Sequence, residues 1–240
     1  MCEYLWRNDM IIYGKNSVFE AIRAKRKIYK LYIDRKITDI VFINKVKNLG
    51  TSFDLKSKEE LNKIISGVKH QGVIADVEDY EVISLDKLLQ DKPKRLMILD
   101  SIEDPHNFGA IIRTLVAANY DGIVMSKKQQ VQISNTVVKV SSGAIEYCKI
   151  ATCKNLFEGI EKLKKIGYQV VGTDQNAERE FDCVEYTERT AFVLGNEGKG
   201  LRKLVKKKCN FLVRIPMQKN VQSLNVSVAA ALLMYQTRGK

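Results

Sequence analysis

The chain is poor in residues that metal sites and disulfide frameworks need. Its 240 residues include three prolines, two histidines and one tryptophan, and none of its five cysteines lies in a CxxC pair. So few histidines and no paired cysteines exclude the usual metal clusters, so we expect no metal. An odd number of cysteines also argues against a complete disulfide framework. We therefore expect buried, reduced thiols in a cytoplasmic protein.

Long apolar runs are missing as well. No stretch of about 18 apolar residues occurs, so the sequence predicts no transmembrane span. Residues 1–9 are polar and no uninterrupted apolar region follows them, so we expect no signal peptide. Low-complexity segments and short internal repeats are also absent. These absences favour a globular protein without membrane segments.

Positive charge, in contrast, is abundant and unevenly distributed. Residues 1–92 hold 17 basic against 14 acidic side chains, whereas residues 93–240 hold 23 against 14. Such an excess is typical of a domain that approaches nucleic-acid phosphates. An ordinary basic cytosolic protein can have the same composition, so charge alone leaves both interpretations open.

The first 82 residues alternate helix and strand patterns. The predicted helices are 16–25, 37–49 and 57–65, and the predicted strands are 31–33, 53–55 and 72–77. Ser57 is a good helix cap, and Glu60, three residues later, completes a capping box. The sequence therefore predicts a small α/β domain over residues 1–82, followed by a linker over residues 83–94 that Pro93 closes.

Residues 95–240 predict a second α/β domain. The predicted strands are 96–99, 122–125, 169–171, 191–194 and 211–215. The predicted helices are 108–118, 134–140, 155–165 and 224–236. Strands that alternate with helices are typical of a parallel sheet covered on both faces.

The first of three motifs in this domain is NFGAIIRT at residues 107–114, directly after a predicted strand. Asn107 can cap the helix that begins there, or it can present its amide to a site. Arg113 lies among apolar residues, where a guanidinium is typical either of a phosphate or carboxylate clamp or of a structural ion pair.

The second motif is GNEGKG at residues 195–200, which also follows a predicted strand. Its glycine spacing is neither the GxGxxG of dinucleotide sites nor a Walker A loop, which excludes a nicotinamide dehydrogenase of the usual type. Glycines here allow a close backbone approach to a ligand. Glu197 could orient a backbone group or a hydroxyl, or pair with Arg113.

The third motif runs from IPM at residues 215–217 to SLN at residues 223–225, at the entry of an apolar helix. Ser223 and Asn225 are each plausible helix caps. The alternative is that backbone groups around Leu224 and the side chain of Asn225 line an adenosine pocket.

In order, spacing and character, the three motifs resemble those of the SpoU/TrmH family of RNA 2′-O-ribose methyltransferases, within the SPOUT superfamily. Residues 12–18 (IYGKNSV) and 70–73 (HQGV) resemble the small ribosomal-protein-like RNA-binding domain of many members. The whole chain most resembles the bacterial enzymes that methylate a guanosine ribose in 23S ribosomal RNA.

This resemblance implies an α/β methyltransferase domain over residues 95–240, with a parallel sheet and a deep trefoil knot. It also implies S-adenosyl-L-methionine as cofactor and a homodimer with active sites at the subunit interface. Cofactor contacts are expected at Thr173, Leu194, Gly195, Gly198, Ile215, Met217, Ser223 and Leu224. Catalytic positions are expected at Asn107, Arg113, Glu197 and Asn225.

Several alternatives stay open at this point. The substrate could be transfer RNA, or the chain could be a non-catalytic RNA-binding or ribosome-assembly protein on the same fold. Arg113 could act as a base or as a clamp for the RNA phosphate, and His106 is either a second candidate base or a bystander. The basic cluster at residues 202–208 is either a solvated helix face or an RNA contact. It comprises Arg202, Lys203, Lys206, Lys207 and Lys208.

Overall fold

Residues 10–128, 131–221 and 223–238 are described by the structure, a computed structural model of the chain. The chain forms two units. Of the described residues, unit 1 contains those up to Tyr80 together with 133–147, and unit 2 contains those in the range 81–132 and those from Cys148 onward. The segment 133–147 therefore belongs with the N-terminal unit although it lies deep in the C-terminal half of the sequence.

The secondary-structure elements are numbered in chain order. The strands are β1 (Met10–Tyr13), β2 (Ile28–Asp34), β3 (Asp54–Lys56), β4 (Val73–Val77), β5 (Ile83–Ser84), β6 (Arg95–Asp100), β7 (Gly122–Ser126), β8 (Ile150–Cys153), β9 (Gln169–Thr173), β10 (Arg179–Glu180), β11 (Thr190–Gly195) and β12 (Phe211–Arg214). The α-helices are α1 (Lys15–Arg23), α2 (Ile40–Asn48), α3 (Lys58–Ile64), α4 (Leu85–Gln90), α5 (Pro105–Ala117), α6 (Asn135–Val140), α7 (Leu156–Lys165), α8 (Lys203–Lys208) and α9 (Val226–Gln236), and a 3-10 helix spans Ala144–Tyr147.

Unit 1 is built on a four-stranded sheet with the order β1-β4-β2-β3. Strands β1 and β2 run antiparallel to β4, and β3 runs parallel to β2. The capping box predicted at the start of α3 is confirmed. The Glu60 amide donates to Ser57 Oγ over 3.2 Å, and the Ser57 amide donates to Glu60 Oε2 over 2.7 Å.

The segment 133–147 contributes α6 and the 3-10 helix to unit 1. Arg26 Nη1 lies 2.7 Å from Glu146 Oε1, and the two side chains are only 7% and 4% exposed. Ser17 Oγ donates to the carbonyl of Val138 over 3.4 Å. A buried ion pair and a buried hydrogen bond thus join this segment to the N-terminal elements.

Unit 2 is built on an eight-stranded sheet with the order β10-β12-β9-β11-β6-β7-β8-β5, and every neighbouring pair runs parallel. All six residues of β11 are buried, as are residues 96–100 of β6. Strands buried on both faces are what a parallel sheet between helical layers requires, so the predicted α/β class is confirmed. Within the described part of the chain, no helix has the length and apolar character needed to cross a membrane.

The region predicted as a linker at residues 83–94 is instead part of unit 2. It forms β5, which pairs with β8, and α4, whose Leu85 and Leu88 are buried in the core of this unit. The sequence signal was weak because β5 has two residues and α4 has six. Strands β1, β8 and β10 were not predicted either, since each is short.

The cysteines match the expectation of buried thiols only in part. Cys148 and Cys209 are buried, and burial raises the pKa of each thiol to about 12. Cys153 is half-buried, whereas Cys183 is exposed in the turn after β10. Cys2 lies outside the described residues. Exposed Cys183 is a correction to the prediction, because turn residues were not distinguished from core residues.

Candidate active site

Strands β6, β9, β11 and β12 are neighbours in the parallel sheet, so their carboxyl ends meet at one edge. The loops that leave this edge enclose a cavity of about 430 Å³, within the usual range of small-molecule sites. All eight residues predicted to contact the cofactor line it: Thr173, Leu194, Gly195, Gly198, Ile215, Met217, Ser223 and Leu224.

The walls of this cavity combine apolar and polar groups. Leu194, Ile215 and Leu224 contribute apolar surface, and Asp174 and Lys206 contribute charge. Apolar walls with a few fixed polar groups are typical of a site that binds and orients a small molecule.

The backbone around Gly195 is packed too closely for any other residue. A Cβ placed on Gly195 would lie 2.2 Å from the carbonyl carbon of Gly200 and 2.3 Å from the amide nitrogen of Leu201. The Gly200 amide donates to the carbonyl of Asn196 over 2.9 Å. The glycine loop therefore folds back onto its own start, which explains the first glycine of the motif.

Asn196 fixes this loop from inside. Its Oδ1 accepts from the amides of Gly198 and Lys199 over 3.0 Å and 3.2 Å. Its Nδ2 donates to the carbonyl of Ser101 over 2.9 Å. Sequence reasoning did not single out Asn196, although an asparagine directly after a glycine in a tight loop is a recognisable turn signal.

Arg202 and Asp100 form an ion pair beside the loop. Arg202 Nε and Nη2 lie 2.8 Å and 2.7 Å from Asp100 Oδ1, and the Arg202 amide donates to Oδ2 over 3.2 Å. Asp100 is fully buried. The guanidinium also lies 5.5 Å from the centre of the Phe157 ring.

The basic cluster at residues 202–208 is therefore not a uniform face. In addition to Arg202, Lys206 bonds the carboxylate of Asp174, and Lys208 bonds Glu161 over 2.8 Å. Burial opposes the ionisation of Asp174, but the hydrogen bonds from Lys206 and the Asn176 amide, together with the charge of Lys206, outweigh it and lower the pKa of the carboxyl group. Three of the five basic residues are therefore in ion pairs, which differs both from a solvated helix face and from an RNA contact.

A chain of hydrogen bonds joins the three sequence motifs. Asn225 Nδ2 donates to Asn107 Oδ1 over 2.9 Å, and Asn107 Nδ2 donates to Glu197 Oε1 over 3.2 Å. The far end of the chain is the Ser227 amide, which donates to Asn225 Oδ1 over 2.9 Å. Every donor thus points toward Glu197, and because a carboxylate only accepts, this direction fixes both amide orientations.

Helix α5 begins three residues earlier than predicted, at Pro105. Asp104, not Asn107, caps α5, since its Oδ1 accepts from the His106 amide over 2.9 Å. Asn107 lies inside the first turn, where its side chain is free of capping and reaches the other motifs. Asn225 does cap α9, so it performs both of the roles considered for it.

Arg113 lies further along α5, between the buried Ile112 and the half-buried Thr114, and its side chain is exposed. The structure brings Asn107, Glu197 and Asn225 together, whereas Arg113 presents charge on the outer surface of the same helix. His106 is also exposed.

Comparison with known proteins identifies the family of the chain. The model of the SpoU rRNA Methylase family matches residues 94–235. A second model, described as RNA 2′-O ribose methyltransferase substrate binding, matches residues 11–83. The first model alone covers more than half of the chain.

Whole-chain relatives give the same result. A protein of Bacillus subtilis strain 168 named as a TrmH family tRNA/rRNA methyltransferase is 40% identical over 98% of this chain and 96% of its own length. The SpoU methyltransferase AviRb of Streptomyces viridochromogenes, solved with AdoMet, has a TM-score of 0.79 at 20% identity, covering 95% of this chain and 88% of that chain. An AdoMet-bound rRNA methyltransferase of Sinorhizobium meliloti has a TM-score of 0.78 at 23% identity, covering 96% and 87%.

Proposed function

Because the chain belongs to the SpoU rRNA Methylase family, it is an S-adenosylmethionine-dependent RNA methyltransferase, and we propose that it methylates a guanosine ribose 2′-hydroxyl in 23S ribosomal RNA. The match of residues 11–83 to a 2′-O ribose methyltransferase substrate-binding model supports the ribose as target. A separate folded binding unit suits a structured ribosomal target better than a small RNA. A ribosomal substrate also supports a cytoplasmic location.

The cavity at the sheet edge fits S-adenosylmethionine, which supplies the electrophilic methyl group. Leu194, Ile215 and Leu224 offer apolar surface suited to an adenine ring. Gly195 and Gly198 leave the loop backbone accessible for hydrogen bonds to the ligand. We therefore assign the eight predicted residues to cofactor binding.

The observation that carries the catalytic proposal is the hydrogen-bonded chain from Asn225 through Asn107 to Glu197. It holds the Glu197 carboxylate and the Asn107 amide in one arrangement beside the cavity that Glu197 itself lines. Polar groups fixed before the substrate binds cost no reorganisation during the reaction. We propose that these groups orient the ribose for in-line attack on the methyl carbon.

Arg113 completes the proposed site by binding RNA. A guanidinium stays protonated near neutral pH and offers no lone pair, so it is a poor base. We propose that Arg113 holds an RNA phosphate and stabilises the developing alkoxide, while a phosphate oxygen or water accepts the proton. An Arg113→Lys variant tests this: a clamp loses RNA affinity with an unchanged pH profile, whereas a base shifts that profile.

We further propose that the enzyme is a homodimer that uses α9. Apart from Ser227 and Gln236, this helix consists of apolar residues and Tyr235, which is typical of a buried helix. Yet its Val228, Leu232 and Tyr235 are 47%, 38% and 48% exposed, and Leu224 just before it is 37% exposed. These residues recur at helical spacing along one face, and a second copy of the same face is the partner that a two-fold dimer provides.

Replacing Val228 and Leu232 by aspartate tests the dimer, because charges on both copies of an apolar interface repel. We expect the double variant to be monomeric by light scattering while the native chain is dimeric. The matched control is Lys203→Asp on the exposed side of α8, which should leave the mass unchanged. A native chain that is monomeric at micromolar concentration would contradict the dimer.

The activity itself is tested by transfer of radiolabelled methyl from S-adenosylmethionine to unmodified 23S, 16S and transfer RNA transcripts, followed by nuclease mapping. We expect label in 23S RNA within an alkali-resistant dinucleotide that contains guanosine. Label confined to transfer RNA would overturn the ribosomal target. An alkali-sensitive product would overturn ribose methylation.

A further inference from the structure

The glycine loop at residues 195–200 carries Glu197, yet a loop with three glycines has many accessible conformations. Contacts with the rest of the chain must therefore hold the loop in the conformation that lines the cavity. We propose that Arg202 and Asp100 form a latch that positions this loop, so that Arg202 is a positioning residue for the methyl transfer and not an RNA contact. The proposal rests on the function proposed above.

The latch lies where two strands end together. Gly195, the last residue of β11, pairs in register with Asp100, the last residue of β6. The loops that follow both strands thus leave the sheet at the same point. Without a bonding contact between the two loops, they would be free to separate at this point.

The Asp100 carboxylate supplies that bonding contact. It accepts two N–H groups of Arg202: Nε on Oδ1 over 2.8 Å, and the backbone amide on Oδ2 over 3.2 Å. Nη2 lies 2.7 Å from Oδ1 and completes the ion pair. The carboxylate is fully buried, and a buried charge is tolerated only with partners of this kind. Both the side chain and the backbone of Arg202 are thereby fixed at the end of the loop.

A second tie acts at the start of the same loop. Asn196 Nδ2 donates to the carbonyl of Ser101, the residue that follows Asp100. The loop is therefore bound at both ends to two consecutive residues, Asp100 at the end of β6 and Ser101 directly after it. Glu197 lies between the two ties, which leaves its carboxylate little freedom other than its hydrogen bond to Asn107.

Loss of the latch should weaken cofactor binding, because the ligand must then order the loop. We expect Arg202→Met to raise the Kd for S-adenosylmethionine about tenfold, the cost of immobilising a few mobile residues. In the absence of cofactor, the amides of Gly198 and Lys199 should exchange with solvent faster, while those of β11 should not. Lys203→Met, which removes the same charge one residue further on, should change neither quantity.

Arg202→Met strands a buried carboxylate and could weaken the whole fold. The double variant Asp100→Asn/Arg202→Met removes the stranded charge as well. We expect it to regain thermal stability but to keep the weak cofactor affinity and the fast loop exchange. A double variant with native affinity and native loop exchange would overturn the latch.

Two further outcomes are decisive. If both Arg202→Met and Lys203→Met weaken RNA binding equally and leave cofactor Kd and loop exchange native, Arg202 is an RNA contact and the latch is wrong. If the native protein does not bind S-adenosylmethionine, the proposed function fails. Loop exchange, measured without cofactor, still supports or overturns the latch in that case.

Discussion

At the scale of single residues, the site depends on the direction of its hydrogen bonds. Asn107 accepts from one motif and donates to another, which only an amide of this length can do at that position. This is a stronger requirement than a helix cap, for which serine, threonine and aspartate serve as well.

Replacing Asn107 by aspartate should therefore be severe. The new carboxylate can still accept from Asn225, but it cannot donate to Glu197 and would lie close to a like charge. We expect kcat for methyl transfer to fall on the order of 100-fold. The control is Asp104→Asn, which caps the same helix equally well and should retain activity within a few-fold. Near-native turnover of Asn107→Asp would contradict the proposed chain.

A second residue-scale prediction concerns His70 in unit 1. The Gly72 amide donates to His70 Nδ1 over 3.0 Å, and His70 Nε2 lies 3.1 Å from Asn62 Oδ1, so the ring is held neutral. Burial lowers the pKa of His70 below its ordinary value of 6.5, and the negative charge of Asp34 offsets only part of this.

A lowered histidine pKa means that the unfolded chain binds a proton at pH values where the folded chain does not. The free energy of unfolding should therefore fall as the pH drops below 6.5, until the folded pKa is passed. Denaturant titrations at several pH values would measure this slope. The variant His70→Asn should lose part of this slope.

At the scale of elements, tight loops and strand ends determine the shape of the cavity. Gly195 and Gly198 lie in the same loop but in different surroundings. A Cβ on Gly195 would collide with backbone atoms at 2.2 Å, whereas a Cβ on Gly198 would meet nothing closer than 3.8 Å.

We therefore expect Gly195→Ala to destabilise the protein by about 1–3 kcal/mol, because the collision is with backbone that cannot move aside. Gly198→Ala should change stability by less than about 0.5 kcal/mol. Thermal unfolding without cofactor separates the two. Equal effects of both substitutions would show that the loop does not fold back as described.

At the scale of the whole molecule, the two units are not successive segments of sequence. Unit 1 is completed by residues 133–147, so the chain passes between the units more than once. A fragment that ends near residue 82 lacks the partner of Arg26, which is buried in unit 1.

Breaking the Arg26–Glu146 pair tests this organisation. Burial raises the pKa of Glu146 although Arg26 lies beside it, so the pair is costly to bury and more costly to break. We expect Glu146→Ala to lower the free energy of unfolding by about 3–5 kcal/mol, with faster amide exchange in unit 1. The double variant Arg26→Met/Glu146→Leu should recover most of the lost free energy of unfolding, because it removes both buried charges. If Glu146→Ala speeds amide exchange only in unit 2, the assignment of residues 133–147 to unit 1 is wrong.

Short segments of sequence are enough to predict the family, the enzyme class and the α/β architecture. Its information is local: a capping box at Ser57, alternating strands and helices, and three motifs that each occupy a short segment. Long elements such as α5, α7 and α9 were predicted nearly to their ends. The trefoil knot, which depends on how the whole chain is threaded, stays a prediction of the family resemblance.

Which of these residues meet depends on contacts between distant parts of the folded chain. The hydrogen bonds of Asn107 join residues 90 and 118 positions apart, the pair of Asp100 and Arg202 spans 102, and the pair of Arg26 and Glu146 spans 120. No local pattern encodes such partners, because periodicity and capping report only on neighbours along the chain. The contacts arise where parallel strands end at one edge of the sheet and where a returning segment is buried.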